Sequence, residues 1–441
     1  MKVAFLTLGC KVNFYETEKM MEQFREKGFE IVEFNQKADI YIVNTCTVTN
    51  IADRKSRQML HRAKKKNPES LVVAVGCYVE SGGDTLKKDE AIDVAFSNKE
   101  KGNLAERIID KFGLSGRLQK EYRDRGDISR KIPREIPGER TRAYIKIQDG
   151  CNQFCTYCLI PYVRGKGELV SMPEEDVVSR AKVLAERDYH EIVLTGIHLS
   201  SYGVDFSGEK SFVKLKGKPL LSLLRRVAEI EGIDRIRLGS LEPRIISKEF
   251  LRELSQIPKI CPHFHLSLQS GCDTVLKRMN RHYTTVEYRE TVNLLRKFFK
   301  NPALTTDVIV GFPGETEEEF EQTRTFLQDI RLADIHVFKY SPRSGTKAAA
   351  MEEQILPEVK SRRSDILLSD TRTYREEYGA WFMGREEMVL FEEVETEGGE
   401  DYLTGHNERY VKIGVPVAEA EKYGYRENEI HRIPVMKVMK K

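Results

Sequence analysis

Three cysteines spaced C-x3-C-x2-C, in Cys151-Asn-Gln-Phe-Cys155-Thr-Tyr-Cys158, constrain this chain more than any other stretch. Thiolates that close can hold three irons of a 4Fe–4S cube and leave the fourth iron without a protein ligand. An open iron can bind and reduce a small molecule, so the loop reads as catalytic rather than purely electron-carrying. A structural zinc site is the competing assignment, but it draws four ligands from paired Cys or Cys/His units. No fourth cysteine or histidine has that spacing, and Cys261 lies far downstream.

The 441 residues are enough for two or three domains. No apolar run approaches the ~20 residues of a membrane span, and Met1–Gly9 is too short and strand-like for a signal peptide. A cytoplasmic protein with no membrane partner is expected, with its eight cysteines reduced and the clustered ones available to metal. A net charge of +3 names no partner by itself, so local basic stretches carry more information.

Residues 1–113 alternate apolar runs (Lys2–Gly9, Glu30–Phe34, Asp39–Cys46, Leu71–Cys77, Val94–Ser97) with helical segments (Glu16–Lys27, Ile51–Lys66, Lys101–Phe112). The alternation predicts an open parallel α/β sheet with ligands at the carboxyl ends of its strands. Cys10, Cys46 and Cys77 fall at those ends. Each alone reads as a small buried hydrophobe. Three at equivalent strand ends point to a second three-thiolate 4Fe–4S cluster. The helix over 51–66 carries Arg54, Lys55, Arg57, Arg62 and Lys64–Lys66, a basic face for phosphates or for water.

Residues 114–140 are polar, with Pro and Gly and no periodicity, and read as a linker. Over 141–375, six strand segments (Ala143–Gln148, Glu191–Thr195, Arg235–Gly239, His263–Leu268, Leu304–Val310, Ile335–Tyr340) alternate with helices, which predicts a partial (β/α)6 barrel with its chemistry at the carboxyl-terminal mouth. The three-cysteine loop follows the first of these strands. Gly196, Ser240, Glu242, Gln269 and Gly311 follow others, where backbone and polar groups can approach a cofactor or serve as turns and caps. The nine histidines show no ligand-type clustering, and His198, His263 and His265 read as packing or polar-network residues. After a charged helical connector, residues 376–441 show short strands between Gly and charged turns, as in a small β-barrel able to contact RNA or merely to pack on the core.

With Cys10, Cys46 and Cys77 ahead of Cys151, Cys155 and Cys158, the whole chain resembles the radical S-adenosylmethionine (SAM) methylthiotransferases. Tyr157 before the third cysteine and Ile160-Pro-Tyr-Val-Arg164-Gly165 fit that family's central barrel, and the C-terminal segment looks like its TRAM domain. Gly9-Cys10-Lys-Val-Asn-Phe-Tyr-Glu-Thr17 is similar to the threonylcarbamoyladenosine tRNA methylthiotransferase branch. The branch acting on isopentenyl-adenosine typically has Gln-Met after the first cysteine, and a third branch acts on an aspartate of a ribosomal protein. One departure is Ser171-Met172, where the family commonly has Ser-Arg.

The resemblance implies two 4Fe–4S clusters and two uses of SAM. One SAM methylates sulfur held at the cluster of Cys10, Cys46 and Cys77. The other, bound near Tyr157, Gly196, Ser240, Glu242, Gln269 and Gly311, is cleaved to a 5′-deoxyadenosyl radical. The substrate would be the anticodon loop of tRNA, methylthiolated at carbon 2 of threonylcarbamoyl-adenosine 37. Radical chemistry suits that carbon because no side-chain base removes its unactivated hydrogen at neutral pH. The threonyl carboxylate calls for a cation or amide donor, for which Lys11 is a candidate. An electron donor such as flavodoxin or ferredoxin and a sulfur source complete the expected partners.

Overall fold

The computed structural model describes residues 1–116, 118, 141–207 and 215–440. Apart from 114–116 and 118, the linker expected over 114–140 lies outside the described residues.

The first domain is a parallel sheet of β1 (Lys2–Thr7), β2 (Glu30–Val32), β3 (Ile40–Thr45), β4 (Leu71–Gly76) and β5 (Val94–Phe96) in the order β2-β1-β3-β4-β5. This is a doubly wound order, and its switch point lies between β1 and β3. Every residue of β3 is buried, as a central parallel strand covered on both faces requires. Alternate residues feed two cores: Val3, Phe5, Ile40, Ile42, Val73 and Val75 on one face, Ala4, Tyr41, Val43, Val72 and Ala74 on the other.

The flanking helices are α1 (Lys11–Glu26), α2 (Asn50–Lys66), α3 (Cys77–Lys87) and α4 (Leu104–Lys111). α1 starts five residues before its apolar periodicity does, and α3 was not foreseen because Gly82-Gly83 weakens its helix signal. Both starts have one cause. Gly9 and Gly76 each adopt φ +101°, which stops the strand and opens the helix at the cysteine that follows.

The second domain carries β6 (Arg142–Asp149), a short antiparallel β7 (Val170–Ser171), β8 (Glu191–Gly196), β9 (Arg235–Leu238), β10 (His263–His265), β11 (Ala303–Val310) and β12 (Asp334–Lys339). They form two sheets, β7-β6-β8-β9 and β10-β11-β12. Parallel bridges Ile236–Ile260 and Leu241–Leu266 cross the seam between β9 and β10. Six parallel strands thus follow in chain order, the partial (β/α)6 barrel expected. Its helices are α5 (Glu174–Glu186), α6 (Lys218–Ala228), α7 (Lys248–Leu254), α8 (Asp273–Arg278), α9 (Thr285–Phe298) and α10 (Glu317–Ile330). Thr-x-x-Glu capping boxes at Thr284/Glu287 and Thr316/Glu319 start the last two.

A long helix, α11 (Pro357–Ala380), leads to β13 (Glu386–Glu397), β14 (Glu400–Asn407), β15 (Lys412–Pro416), α12 (Val417–Tyr423, not expected) and β16 (Ile430–Pro434). The antiparallel order is β15-β14-β13-β16, and the Ile413–Val438 bridge returns the chain to β15. This small β-barrel sits at the amino-terminal end of the central strands, away from the mouth. Glu191, the first residue of β8, pairs there with Arg237 at 2.7 Å, Arg142 at 2.8 Å and Arg235 at 3.6 Å. Arg142 continues to Glu392, Arg237 donates to the Glu408 carbonyl at 2.9 Å, and both guanidinium groups lie over the Tyr410 ring. Burial acts to raise the Glu191 carboxyl, but the arginines bring it down to about 2.

Glu191→Gln leaves three buried guanidinium groups short of their counter-charge. We expect a loss of ~3–5 kcal/mol, read as a lower urea midpoint, and an unchanged midpoint would contradict this account of the joint.

Candidate active site at the barrel mouth

The N-terminal cysteines are brought together by backbone conformation. Cys10 is the N-cap residue of α1 and Cys77 the first residue of α3, each placed by its preceding glycine. Negative charge on either sulfur faces the positive end of a helix. Cys46 follows β3, and a Cβ on Gly9 would lie 2.7 Å from its Sγ. Asn13 ties the strand ends, donating through Nδ2 to the Leu8 carbonyl at 2.7 Å and the Thr45 carbonyl at 3.0 Å.

The other three cysteines follow β6 in a loop held by the barrel. Gly150, at φ +76°, passes so close to the Glu168 carbonyl that a Cβ would lie 1.9 Å from its oxygen. The Thr156 amide donates to the Met279 carbonyl at 3.1 Å, and Asn280 Nδ2 donates to the Phe154 carbonyl at 3.1 Å. Phe154 is itself left-handed at φ +47°, a strain the surrounding contacts impose.

Burial pushes the Cys46 and Cys151 thiols up to about 11 and raises Cys158 as well, and neighbouring cysteines within each trio add to it. Such sulfurs keep their protons unless a cation replaces them, but burial does the same to the lone Cys261, so it is the grouping in threes that points to metal. Two trios of thiols fit iron–sulfur clusters with an open iron better than a four-ligand zinc site. Each trio also has an arginine on one sulfur, Arg164 buried and Arg281 partly buried. Arg164 Nε donates to Cys77 Sγ at 3.3 Å, and Arg281 Nη1 donates to Cys155 Sγ at 3.2 Å.

The two sites adjoin. Arg164 belongs to the segment just after Cys158 and reaches across the domain boundary to Cys77, and Asn98 Nδ2 donates to the Val163 carbonyl at 3.2 Å. On another side Arg343, beyond β12, pairs with Asp53 of α2 at 2.6 Å and donates to Thr47 Oγ1 at 2.6 Å, beside Cys46.

The six residues expected near the cofactor all lie at the barrel mouth, but their surroundings differ. Tyr157 packs edge-on to Phe312 with ring centres 6.4 Å apart. Gly196 rests on Gln148, where a Cβ would come within 3.0 Å of the side chain. Ser240 is exposed. Both oxygens of Glu242 accept from Arg244 Nε, at 2.7 and 2.9 Å. Gln269 is left-handed at φ +73° and nearly buried. Gly311, at φ +69°, gives its amide to Glu315 and turns its missing side chain toward Lys360, so packing alone explains it.

Lys11 stands exposed in the first turn of α1. Met172 packs against the barrel core, an apolar place for the residue that departs from the family pattern. His263 stacks on Tyr410 at 5.4 Å. His198 bonds Ser201 Oγ through Nδ1 at 2.6 Å, leaving Nε2 buried without a partner. Burial, with Arg281 and Arg244 nearby, brings that ring down to about 3, so it is neutral.

Contrary to the sequence reading of the histidines, His265, Asp307 and His336 do come together, from β10, β11 and β12. Their strands are far apart in sequence, so spacing held no sign of it. The two rings lie 3.3 and 3.2 Å from the Asp307 carboxylate, and His265 Nδ1 is 3.0 Å from Thr305 Oγ1. Mutual hydrogen bonds account for the group. Arg164, which the sequence shows only as part of a motif, and Arg281 contact cysteines 87 and 126 positions away, a pairing no local spacing signals.

A family model described as Uncharacterized protein family UPF0004 matches residues 2–97, and one described as Radical SAM superfamily matches residues 145–327. Threonylcarbamoyladenosine tRNA methylthiotransferase MtaB of Bacillus subtilis (strain 168) is 38% identical over 421 residues, covering 93% of this chain and 89% of the relative. tRNA-2-methylthio-N(6)-dimethylallyladenosine synthase of Thermodesulfovibrio yellowstonii is 35% identical over 432 residues, covering 97% and 96%. Among solved structures, the radical SAM methyltransferase TsrM of Kitasatospora setae, with cobalamin and a [4Fe-4S] cluster, matches with a TM-score of 0.56 at 14% identity, over 79% of this chain and 77% of that one. At that identity the match bears on the fold alone.

Gly9→Ala places a methyl 2.7 Å from Cys46 Sγ at a backbone angle L-residues rarely adopt. After anaerobic reconstitution, its iron–sulfur absorbance per chain is expected to be about half that of wild type, one three-thiolate site of two being lost. Gly102→Ala, with nothing within 4 Å, should match wild type. Full absorbance in Gly9→Ala would remove Cys46 from the site.

Proposed function

This chain belongs to the radical SAM methylthiotransferase family, and from that premise we propose that it methylthiolates carbon 2 of N6-threonylcarbamoyladenosine at position 37 of tRNA, next to the anticodon. The observation that carries the reading is the pair of adjoining three-cysteine sites, one behind a doubly wound sheet and one at a barrel mouth, in a chain 38% identical to a relative named for this reaction.

Cys151, Cys155 and Cys158 hold one 4Fe–4S cluster and Cys10, Cys46 and Cys77 the other. Bound there, the clusters supply the electron for reductive cleavage of SAM and the site that holds the transferred sulfur. The chain's own residues do the rest. Tyr157, Gly196, Ser240 and Gln269 line the mouth where SAM lies, and Gly311 lets Lys360 pack behind it. Glu242, already held by Arg244, presents a fixed carboxylate there rather than a free one. Neutral His198 offers a buried ring nitrogen without adding charge.

Adenosine 37 lies in a loop, so it can be splayed toward the mouth without breaking a duplex. Arg54, Lys55, Arg57, Arg62, Lys65 and Lys66 are exposed on α2, whose amino end abuts the mouth through Arg343, and they form the phosphate-binding face. Lys64 is committed to Asp93 at 2.9 Å. The C-terminal β-barrel, at the opposite end of the strands, would meet a part of the tRNA remote from the reacting base. No described helix is long and apolar enough to cross a membrane, and a tRNA substrate places the enzyme in the cytoplasm. Flavodoxin or ferredoxin as reductant and a separate sulfur source complete the reaction.

The test is a mass measurement. Reconstituted enzyme with SAM and reductant is offered tRNA carrying threonylcarbamoyladenosine, tRNA carrying isopentenyl-adenosine, and ribosomal protein. Methylthio mass on the first alone is expected. Mass on either of the others instead would move the chain to a sister branch, and mass on none would overturn the reading.

A further inference from the structure

A buried charge cluster centred on Arg164 lies between the two cysteine sites. Arg164 is 3% exposed, and every nitrogen of its guanidinium is engaged. Nε donates to Cys77 Sγ at 3.3 Å. Nη1 donates to Glu16 Oε1 at 2.8 Å and to Asp149 Oδ1 at 3.1 Å. Nη2 donates to Asn13 Oδ1 at 2.9 Å and to Glu16 Oε2 at 3.1 Å. Asn13 is the residue that fixes the strand ends leading to Cys10 and Cys46. One side chain from the barrel therefore touches Cys77 directly and reaches the other two cysteine segments through a single amide.

The charges do not cancel among themselves. Lys101 bonds Glu16 at 2.6 Å, and Lys146 bonds Glu16 and Asp149 at 2.8 Å each. Burial would raise the Glu16 carboxyl, but Lys101, Arg164 and Lys146 hold it well below the usual carboxylate range. Three cations against two carboxylates leave one positive charge, and the group facing the guanidinium on its remaining side is the Cys77 sulfur. A thiolate ligand there closes the balance, in a place where an uncompensated charge is costly.

We propose that Arg164 is the positioning residue of the sulfur-donating site: it locks Cys77 in register with the Cys151–Cys158 loop and supplies the positive charge that tunes the cluster held there. The proposal rests on the two-cluster reading above. A planar fork suits the role, because several hydrogen bonds at fixed angles set distance and direction at once, which an ammonium on a flexible stem does not. The arginine follows Cys158 by six residues, so any shift of the radical loop is passed to Cys77.

The test uses the full-length chain with Cys151, Cys155 and Cys158 replaced by Ala, so that only the N-terminal cluster is observed. Iron is counted and the cluster's midpoint potential and electron paramagnetic resonance spectrum are measured, for this parent and with Arg164→Gln, Arg164→Lys or Glu16→Gln added. Removing a positive charge beside a thiolate ligand disfavours the extra electron. Arg164→Gln is therefore expected to hold about four irons with a midpoint shifted negative and an altered spectrum. Arg164→Lys should fall between it and the parent. Glu16→Gln, which adds one net positive charge without changing shape, should shift the midpoint positive even if Arg164→Gln does not fold. Iron-loaded variants with the parent's midpoint and spectrum would overturn the assignment of Arg164 alone. A parent without iron would overturn the two-cluster reading, and this proposal with it.

Discussion

Two buried guanidinium groups, Arg164 and Arg343, tie the N-terminal domain to the barrel, and Arg164 does so at the cysteines themselves. Arg164 leaves the segment after the three-cysteine loop, crosses the domain boundary and ends among Glu16, Asp149, Asn13 and the Cys77 sulfur. Carrying such an ion out of water costs several kcal/mol, and the partners on every nitrogen offset that cost only when both domains are docked in one register. A buried network of this kind is weak evidence for stability and stronger evidence for geometry. Two cofactor sites that must cooperate on one substrate atom need a fixed separation, and apolar packing of Tyr15 against the barrel core would tolerate sliding that hydrogen bonds at fixed angles do not.

The rest of the architecture follows the same division between scaffold and site. Parallel strands gather ligands at their carboxyl ends, and both sheets turn those ends toward the shared boundary. The opposite end of the central strands is closed by the C-terminal β-barrel through Glu191 and its arginines, which leaves the mouth free for a macromolecular substrate. The helices that begin at Cys10 and Cys77 orient positive dipole ends at the sulfurs, and Gly9 and Gly76 share one backbone angle to make that possible.

Much of this was legible in the chain itself, because the signals are local. Strand runs such as Ile40–Val43 are continuous and apolar, and the C-x3-C-x2-C spacing lies within eight residues. What stayed hidden was either weakened locally or built from distant partners. The double glycine masked α3, and the two-residue β7 is too short to show a period. Arg164 and Cys77, Arg281 and Cys155, and the His265–Asp307–His336 group are pairings that only the folded topology creates. Glu242 and Gly311 do fall at strand ends, yet their immediate partners, Arg244 and Lys360, lie outside any motif.

Methylthiotransfer by this chain requires that each cysteine trio hold its own cluster. That requirement is tested most directly by counting iron and acid-labile sulfide per chain after anaerobic reconstitution, for wild type, for Cys10/Cys46/Cys77→Ala and for Cys151/Cys155/Cys158→Ala. About eight irons are expected in wild type and about four in each triple variant. About four in wild type, unchanged when the N-terminal cysteines are removed, would contradict the two-cluster reading.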